Sequence, residues 1–386
     1  MYNLIKLNED KNIHIVNKIN EFKSPKSIFI PILNNSTFKL NEYVYKKTYF
    51  GDYIASVSGY VTGLKKIKLN NKEVSAIEIK NDYKEDYKKK IKLKKPKNKE
   101  ELCESLKYYN QTSILNKINN QTIINNLIVS SIDEEIYSVK EFVTLSNNYE
   151  EILETIDFLN DLFETQKSII ANKSTNFKSI KNVNSILGMY PNIENILVPN
   201  KFLISYKPFL CSYLNVLESE TLVLTTTEIL EIYRNIIKNE DVEDTIITIS
   251  GNAIKKSQII KTKLYVSLKE LLDEYIKLEE TEYNVYINGY VKGKKADNIE
   301  DVIITKNIEC IVINKKEELI ETDCINCGAC AKICPKAINV KRCYFNNLKN
   351  NNCISCGLCN YICPSNLKLR EIVEGNNEKI WNKRIN

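Results

Sequence analysis

Eight of the twelve cysteines in this 386-residue chain lie close together near its carboxyl end, where one pattern is written twice. The pattern is Cys-x-x-Cys-x-x-Cys-x-x-x-Cys-Pro. The first copy contains Cys324, Cys327, Cys330 and Cys334, and the second contains Cys353, Cys356, Cys359 and Cys363. Cysteine sulfurs in such numbers bind iron or zinc, or they pair as disulfides in an oxidising compartment. The spacing between them indicates which chemistry to expect.

This spacing is typical of bacterial sequences that bind two [4Fe–4S] clusters. Each cluster needs four thiolates on the corners of a tetrahedron, and one tight loop supplies only three of them. The fourth cysteine of each run, the one before proline, binds the other cluster. The predicted ligands of one cluster are therefore Cys324, Cys327, Cys330 and Cys363. Those of the second cluster are Cys353, Cys356, Cys359 and Cys334.

Zinc and disulfides fit the pattern less well. Zinc sites normally show separated C-x-x-C pairs, often with histidine, and the single histidine, His14, is far away in the sequence. Disulfides would imply an oxidising compartment, and the first residues show no signal peptide. The other four cysteines have no partner spacing. Cys310 is expected in the core, Cys343 is interpreted as a spare thiol, and Cys103 and Cys211 are assigned no role.

The composition predicts a multidomain protein without a membrane span. Hydrophobic residues make up 43% of the chain and the mean hydropathy is −0.31. A chain of this length exceeds what one compact core usually holds. No apolar run approaches the roughly 20 residues needed to cross a bilayer. We therefore expect a cytoplasmic protein that is at most peripheral on the inner face of the cell membrane.

The net charge of +6 is concentrated in one segment. Residues 84–99 contain nine lysines and two acidic residues, so the rest of the chain sums to about −1. We interpret residues 84–100 as a solvated, lysine-rich linker. The alternative is a docking segment for an acidic redox partner or an anionic membrane surface. The segment has no arginine, which argues against nucleic-acid binding.

The elements that must position the cysteines begin with two different regions. Residues 1–83 contain short, partly alternating apolar segments and predict a small β module. Residues 101–242 alternate buried strands with helices, which favours a partly parallel α/β layer. Asn148 and Thr225 each precede a glutamate by three residues, so both are expected to form capping boxes at helix starts.

Strands return in the third region and lead to the cysteines. Residues 243–318 predict strands around one short helix that Ser267 caps, an arrangement typical of a β-grasp-like unit. Residues 319–386 contain both cysteine runs and a predicted terminal helix from about Leu369. The fold class expected from these patterns is a multidomain protein of α/β and β units.

Four stretches resemble the C subunit of the Rnf electron-transport complex, including its relatives associated with proline reductase. These stretches are residues 28–31 with 55–61, residues 246–256, residues 288–293 with 302–306, and residues 353–366. The resemblance implies an N-terminal barrel-sandwich hybrid, a Rossmann-like α/β domain, an SLBB β-grasp domain and a C-terminal ferredoxin module with two clusters. It also implies redox protein partners, either an Rnf-type membrane complex or an amino-acid reductase system.

The central domain departs from that family. The family binds FMN and NADH through a glycine-rich loop and an acidic N-G-A-E-C-E-P-Y segment. Here no glycine occurs between Gly63 and Gly188, and side chains prevent the backbone from wrapping a phosphate. Residues 130–137 replace the acidic segment, and we interpret their carboxylates as part of a solvated turn. We therefore expect a degenerate Rossmann-like domain that binds neither FMN nor NADH.

These observations predict an electron-transfer protein. Electrons would pass through two [4Fe–4S] clusters between a redox donor and a membrane-bound or soluble reductase. Two alternatives stay open: an NADH:acceptor oxidoreductase module with a diverged FMN site, and a docking scaffold for a reductase. No catalytic residue is predicted for the chain itself.

Overall fold

The computed structural model describes residues 18–32, 38–69, 72–88, 92–317 and 320–375. The first region contains the strands β1 (Ile19–Phe22), β2 (Ser27–Pro31), β3 (Tyr43–Val44), β4 (Tyr49–Phe50), β5 (Tyr53–Ile54), β6 (Gly59–Leu69) and β7 (Lys72–Asn81). All but β1 form a small antiparallel sheet in the order β2-β7-β6-β3 and a separate hairpin, β4–β5. In the lysine-rich segment, the described lysines from residue 84 to residue 97 are exposed, and Lys99 is half-buried.

The second region is a four-stranded parallel sheet flanked by helices. Its helices are α1 (Lys99–Tyr108), α2 (Thr112–Asn119), α3 (Lys140–Asn147), α4 (Tyr149–Phe163), α5 (Phe177–Ile186), α6 (Lys207–Leu214) and α7 (Thr226–Ile232), which continues as a π-helical turn (Tyr233–Ile237). Its strands are β8 (Asn126–Ser130), β9 (Lys167–Lys173), β10 (Ile193–Val198) and β11 (Thr221–Thr225). Short 3-10 turns lie at Leu187–Met189 and Glu218–Glu220.

The strand order β10-β9-β8-β11 makes this sheet a parallel α/β layer. The chain moves outward from β8 to β10 and then returns to the other side of β8, so a switch point lies between β8 and β11. Thr225 forms the predicted capping box with Glu228. The box predicted at Asn148 is wrong, because that side-chain amide donates to the Thr144 carbonyl 2.9 Å away.

The third region joins the first region in one core. Its strands are β12 (Asp244–Ser250), β13 (Gln258–Lys263), β14 (Tyr283–Ile287), β15 (Lys294–Lys295) and β16 (Cys310–Lys315), with helix α8 (Leu268–Tyr275) and a 3-10 turn (Ile299–Asp301). The six-stranded sheet has the order β1-β13-β12-β16-β14-β15, and β1 lies parallel to β13. Ile28 and Ile77 of the first region therefore share a hydrophobic cluster with Ile249 and Ile311 of the third.

The last region contains four short helices and no strand among the residues described from 320 to 375. They are α9 (Ala329–Ile333), α10 (Val340–Asn346), α11 (Leu358–Tyr361) and α12 (Leu369–Glu374). The start predicted for the terminal helix at Leu369 is confirmed, and residues 376–386 lie outside the described part. In the described ranges, every helix is too short or too polar to span a bilayer.

Candidate metal centres

The two cysteine runs fold into loops with matching backbone conformations. Asn326 and Gly328 have positive φ angles of 66° and 71° in the first loop. Ser355 and Gly357 occupy the same positions in the second loop, with φ angles of 55° and 79°. Left-handed residues at these two positions turn the chain sharply between cysteines. Each loop can thereby present its first three sulfurs toward one side.

The first cavity lies inside the first loop. Its walls include the four cysteines predicted for one cluster, which are Cys324, Cys327, Cys330 and Cys363. Apolar contacts come from Ile325, Leu367 and Leu369, and Lys341 of α10 lies at its wall. Three sulfurs thus belong to the first run and the fourth arrives from the second run.

The second cavity repeats this arrangement with the runs exchanged. Its walls include Cys353, Cys356, Cys359 and Cys334. Ile338, Val340 and Val373 supply apolar contacts. The spaces between protein atoms are similar, about 390 Å³ in the first cavity and about 370 Å³ in the second, including space open to solvent.

The donor sets suit iron–sulfur clusters. Each cavity combines four thiols with an apolar wall, and thiolates are the ligands that [4Fe–4S] clusters use. A cluster places its own iron and sulfide between the ligands, so the cysteine sulfurs surround a space instead of meeting at a point. No three His, Cys, Asp or Glu side chains in the described ranges converge to hold one metal ion.

Burial keeps several of these thiols protonated when no metal is bound. It raises the pKa of Cys330, Cys353 and Cys356, and it raises that of Cys359 to about 12. Backbone N–H groups hydrogen-bonded to these sulfurs act in the opposite direction. Cluster binding must therefore displace protons, and the same N–H groups would stabilise the sulfur charge of a bound cluster.

The two cavities differ in their surroundings. Cys327, on the first cavity, is an exposed cysteine, and its neighbour Ile325 is 65% exposed. Cys356, on the second cavity, is only 9% exposed. It packs in a hydrophobic cluster with Phe202 and Phe209 of the α/β layer. The first cavity thus faces the outside, while the second lies against the α/β layer.

A short backbone segment, residues 291–293, connects the second cavity to the α/β layer. The buried Arg370 donates from its guanidinium to the Lys292 carbonyl at 2.7 Å. On the other side, the Lys292 N–H donates to a carboxylate oxygen of Glu135 at 3.1 Å. Gly357 is required at this contact, because a Cβ there would lie 1.9 Å from the Val291 carbonyl oxygen.

The prediction that residues 130–137 form a solvated turn is wrong. Asp133 and Glu135 are only 8% and 2% exposed. Burial raises the pKa of Asp133, and it raises that of Glu135 to about 7. The Asp133 carboxylate accepts hydrogen bonds from the N–H groups of Glu141 and Phe142, at the start of α3. These acidic groups are structural parts of the layer, which sequence reasoning missed.

The Glu141 carboxylate accepts hydrogen bonds at the start of α7, as the Asp133 carboxylate does at the start of α3. The buried Glu141 carboxylate accepts hydrogen bonds from the Thr227 N–H at 2.9 Å and from the hydroxyls of Thr226 and Thr227 at 2.7 and 2.8 Å. This helix begins at the switch point between β8 and β11, where α/β proteins commonly bind ligands. The helix terminus that could hold a phosphate there is thus occupied by a side chain of the protein.

The four cysteines outside the two runs are buried. Cys310 is fully buried in β16, which confirms the prediction that it lies in the core. Cys343 of α10 packs in the hydrophobic cluster that carries six of the run cysteines, yet it lines neither cavity. It is therefore close to the candidate centres without belonging to either of them.

Comparison with known proteins supports the interpretation of the cysteine region as an iron–sulfur region. The 4Fe-4S binding domain family matches residues 317–338. Three proteins named as the C subunit of an ion-translocating oxidoreductase complex are similar. The Buchnera aphidicola protein is 22% identical over 58% of this chain and 50% of its own length. The Vibrio cholerae protein is 24% identical over 55% and 29%, and a Haemophilus influenzae protein is 22% identical over 57% and 35%.

The chain spans half or less of the length of these curated relatives. Even so, they confirm the resemblance that the sequence motifs indicated. A solved structure of NAD+-reducing [NiFe]-hydrogenase in the H2-reduced state matches 64% of this chain and 52% of its own. Its TM-score is 0.45 at 10% identity.

Proposed function

We propose that this chain is an iron–sulfur electron-transfer subunit with one [4Fe–4S] cluster at each cysteine cavity. The observation that carries the proposal is the exchange of fourth cysteines. Each cavity combines three cysteines of one run with Cys334 or Cys363 of the other. A bound cluster supplies the one-electron chemistry. The chain would relay electrons between a redox donor and a reductase partner in an ion-translocating oxidoreductase type of complex.

The protein's own groups would hold the clusters and set their potentials. Apolar side chains such as Ile338 and Leu367 limit the access of water to the sulfurs. Backbone N–H groups hydrogen-bond to several sulfurs, and one of them, from Ile338, reaches Cys334 Sγ at 3.4 Å. Burial and hydrogen bonds to sulfur are the factors that tune iron–sulfur potentials. The crossed ligands also tie the two centres into one unit.

We propose the finer architecture on the same basis. Residues 1–83 would form a barrel-sandwich hybrid, residues 84–100 a linker, and residues 101–242 a degenerate Rossmann-like domain. Residues 243–318 would form an SLBB β-grasp domain, followed by a two-cluster ferredoxin module at 319–386. The strand order of the α/β layer is that of the first four strands of a Rossmann sheet, which supports the central assignment.

We propose no FMN or NADH site for the α/β layer, because Glu141 occupies the helix terminus at its switch point. The donor and the acceptor would be other proteins, either in an Rnf-type membrane complex or in an amino-acid reductase system. The chain would work in the cytoplasm, with peripheral association at the inner face of the membrane.

Anaerobic reconstitution of the full chain tests this function. We expect about eight iron and eight sulfide per chain, no flavin, and clusters that dithionite reduces. NADH alone should leave the cluster absorbance unchanged. Zinc in place of iron would contradict the proposal. Bound FMN that NADH reduces would instead support the NADH:acceptor oxidoreductase.

A further inference from the structure

The segment that carries both cavities has an unusual charge distribution. Between Asp323 and Glu371 there is no acidic residue. The same stretch contains seven basic residues, which are Lys332, Lys336, Lys341, Arg342, Lys349, Lys368 and Arg370. Bound clusters are anionic and would balance part of this charge. The rest gives the cysteine region a basic surface.

Some of these cations are already used within the structure. Arg370 is buried and hydrogen-bonds to the backbone of residues 292 and 293. Lys368 pairs with Glu321 at 3.3 Å. In contrast, Lys332 of α9, and Lys341 and Arg342 of α10, form no ion pair with any residue that the structure describes. These three cations are available to an acidic partner.

The available cations lie close to the first cavity. Lys341 is part of its wall, and Arg342 follows on the same helix. Lys332 lies on α9, the helix that follows Gly328 of the same wall. Apolar groups are exposed beside them: Ile325 at 65% and Phe345, one turn after Lys341, at 58%. A basic rim with exposed apolar groups is typical of a transient protein–protein contact.

Electron exchange would be most direct at this face. Cys327 is exposed, whereas the other run cysteines are partly or fully covered. A side chain added at the next residue, Gly328, would meet nothing within 4 Å, so a partner can approach the loop closely. The second cavity lacks such access at Cys356, which is buried in a hydrophobic cluster with Phe202 and Phe209.

We infer that this face, formed by Ile325, Cys327, Lys332, Arg342 and Phe345, docks an acidic protein that carries one electron. The inference rests on the proposed function and names the partner class for the first centre. In the exchange, the reduced carrier loses one electron and the centre at the first cavity gains it, with no covalent bond made or broken. A lipid surface would also attract the cations, but it would not exchange an electron with a centre at the exposed Cys327.

Stopped-flow kinetics with the reconstituted full chain tests the docking face. The probe is a dithionite-reduced [2Fe–2S] ferredoxin of the acidic plant type. We expect the wild-type rate to fall steeply as salt rises. The K332E/R342E variant, whose two residues line neither cavity, should be slower by about tenfold or more at low salt. K332Q/R342Q should show an intermediate rate.

A matched control separates local from global charge effects. K94E/K97E reverses two exposed lysines of the linker and changes the net charge equally. We expect it to keep nearly the wild-type rate. Equal slowing of both charge-reversal variants, or no slowing of K332E/R342E, would overturn the docking face. A carrier rate unaffected in K332E/R342E, together with lost sedimentation with phosphatidylserine vesicles, would identify a lipid surface instead.

Two further measurements distinguish a failed docking face from a failed function. Iron content and reduction by an uncharged dye should be the same in K332E/R342E and wild type. If wild-type protein holds no iron or is not reduced by the dye, the electron-transfer function itself is wrong. If the dye reduces every variant equally while the acidic carrier shows no dependence on salt or on these residues, only the docking inference fails.

Discussion

The switch point of the α/β layer and the cysteine region differ in what their side-chain donors and acceptors contact. At the switch point, carboxylates of the protein itself cap the helices: Asp133 at α3 and Glu141 at α7. In the cysteine region, thiols surround two cavities instead of bonding with one another. The α/β layer thus satisfies these helix starts with its own carboxylates, whereas the cysteine region leaves its sulfur donors around open space. Local donors, and not the fold alone, decide what a region can bind.

The largest expected effect comes from removing predicted cysteine ligands. Replacing Cys324 and Cys353 together by alanine removes one predicted ligand from each centre. We expect loss of both clusters and of electron transfer to an acceptor dye, measured by iron analysis and dye reduction. Cys343→Ala is the matched control, since this buried cysteine lines neither cavity. A double variant that reduces the dye at the normal rate would contradict the function.

Gly328 and Gly357 occupy equivalent positions in the two cysteine loops, and replacing each of them compares the surroundings of the two cavities. Gly357→Ala places a Cβ 1.9 Å from the Val291 carbonyl oxygen, in a backbone with φ of 79°. Gly328→Ala, at φ 71°, meets no atom within 4 Å. We expect a loss of unfolding free energy of about 4 kcal/mol for Gly357→Ala and about 1 kcal/mol for Gly328→Ala.

Chemical denaturation of the reconstituted variants measures this difference. The larger loss should be accompanied by a weaker second centre, seen as reduced iron content, because the Gly357 loop carries Cys356. Equal losses for the two alanine variants would show that the contact between the Gly357 loop and Val291 does not constrain the second cavity.

Glu141 provides the corresponding test for the α/β layer. Glu141→Ala removes a buried acceptor from three hydrogen bonds at the start of α7. We expect a loss of about 3–4 kcal/mol in unfolding free energy, because buried donors are left unpaired. Inorganic phosphate should stabilise this variant more than wild type if the carboxylate occupies an anion position. Thermal unfolding with and without phosphate measures this, and identical phosphate shifts would refute the comparison.

The sequence predicted the cysteine region better than the α/β layer, for a physical reason. Cluster ligation depends on spacing within short loops, so the pattern itself predicts which cysteines share a cavity. The environment of Glu135 depends on Lys292, which is 157 positions away. It depends also on Gly289, since a Cβ there would lie 1.9 Å from Glu135 Cγ. No local pattern around residues 130–137 contains that information.

The strands show the same limit. Strands β8 and β11 contain the continuous apolar runs 127–129 and 222–224, which predict buried strands. The sequence does not indicate strand β9 in the same way, although Ile169 and Ile170 are buried at its centre, because a short apolar segment between lysines does not distinguish a strand from a turn. The pairing of β1 with β13 joins distant parts of the chain and could not be predicted from either segment alone.

The smallest expected effect concerns Glu135, where the α/β layer contacts the backbone segment 291–293 beside the second cavity. Burial raises the pKa of Glu135 to about 7, above the ordinary value of 4.5. The folded state therefore holds a proton that the unfolded state has already lost between these two pH values. Unfolding free energy should fall as the pH rises from about 4.5 to about 7, by up to about 3 kcal/mol from this group. Above pH 7 its contribution should be constant.

Glu135→Gln should flatten this part of the stability curve, since glutamine does not titrate but can still accept the hydrogen bond from the Lys292 N–H. Urea denaturation at a series of pH values between 4.5 and 8 measures the slope. Glu134→Gln, on the more exposed side of the same turn, is the matched control and should retain the wild-type slope. If the slope persists in Glu135→Gln and disappears in the control, the buried carboxyl of Glu135 is not the titrating group. The α/β layer would then contact the second cavity without any coupling to protons at Glu135.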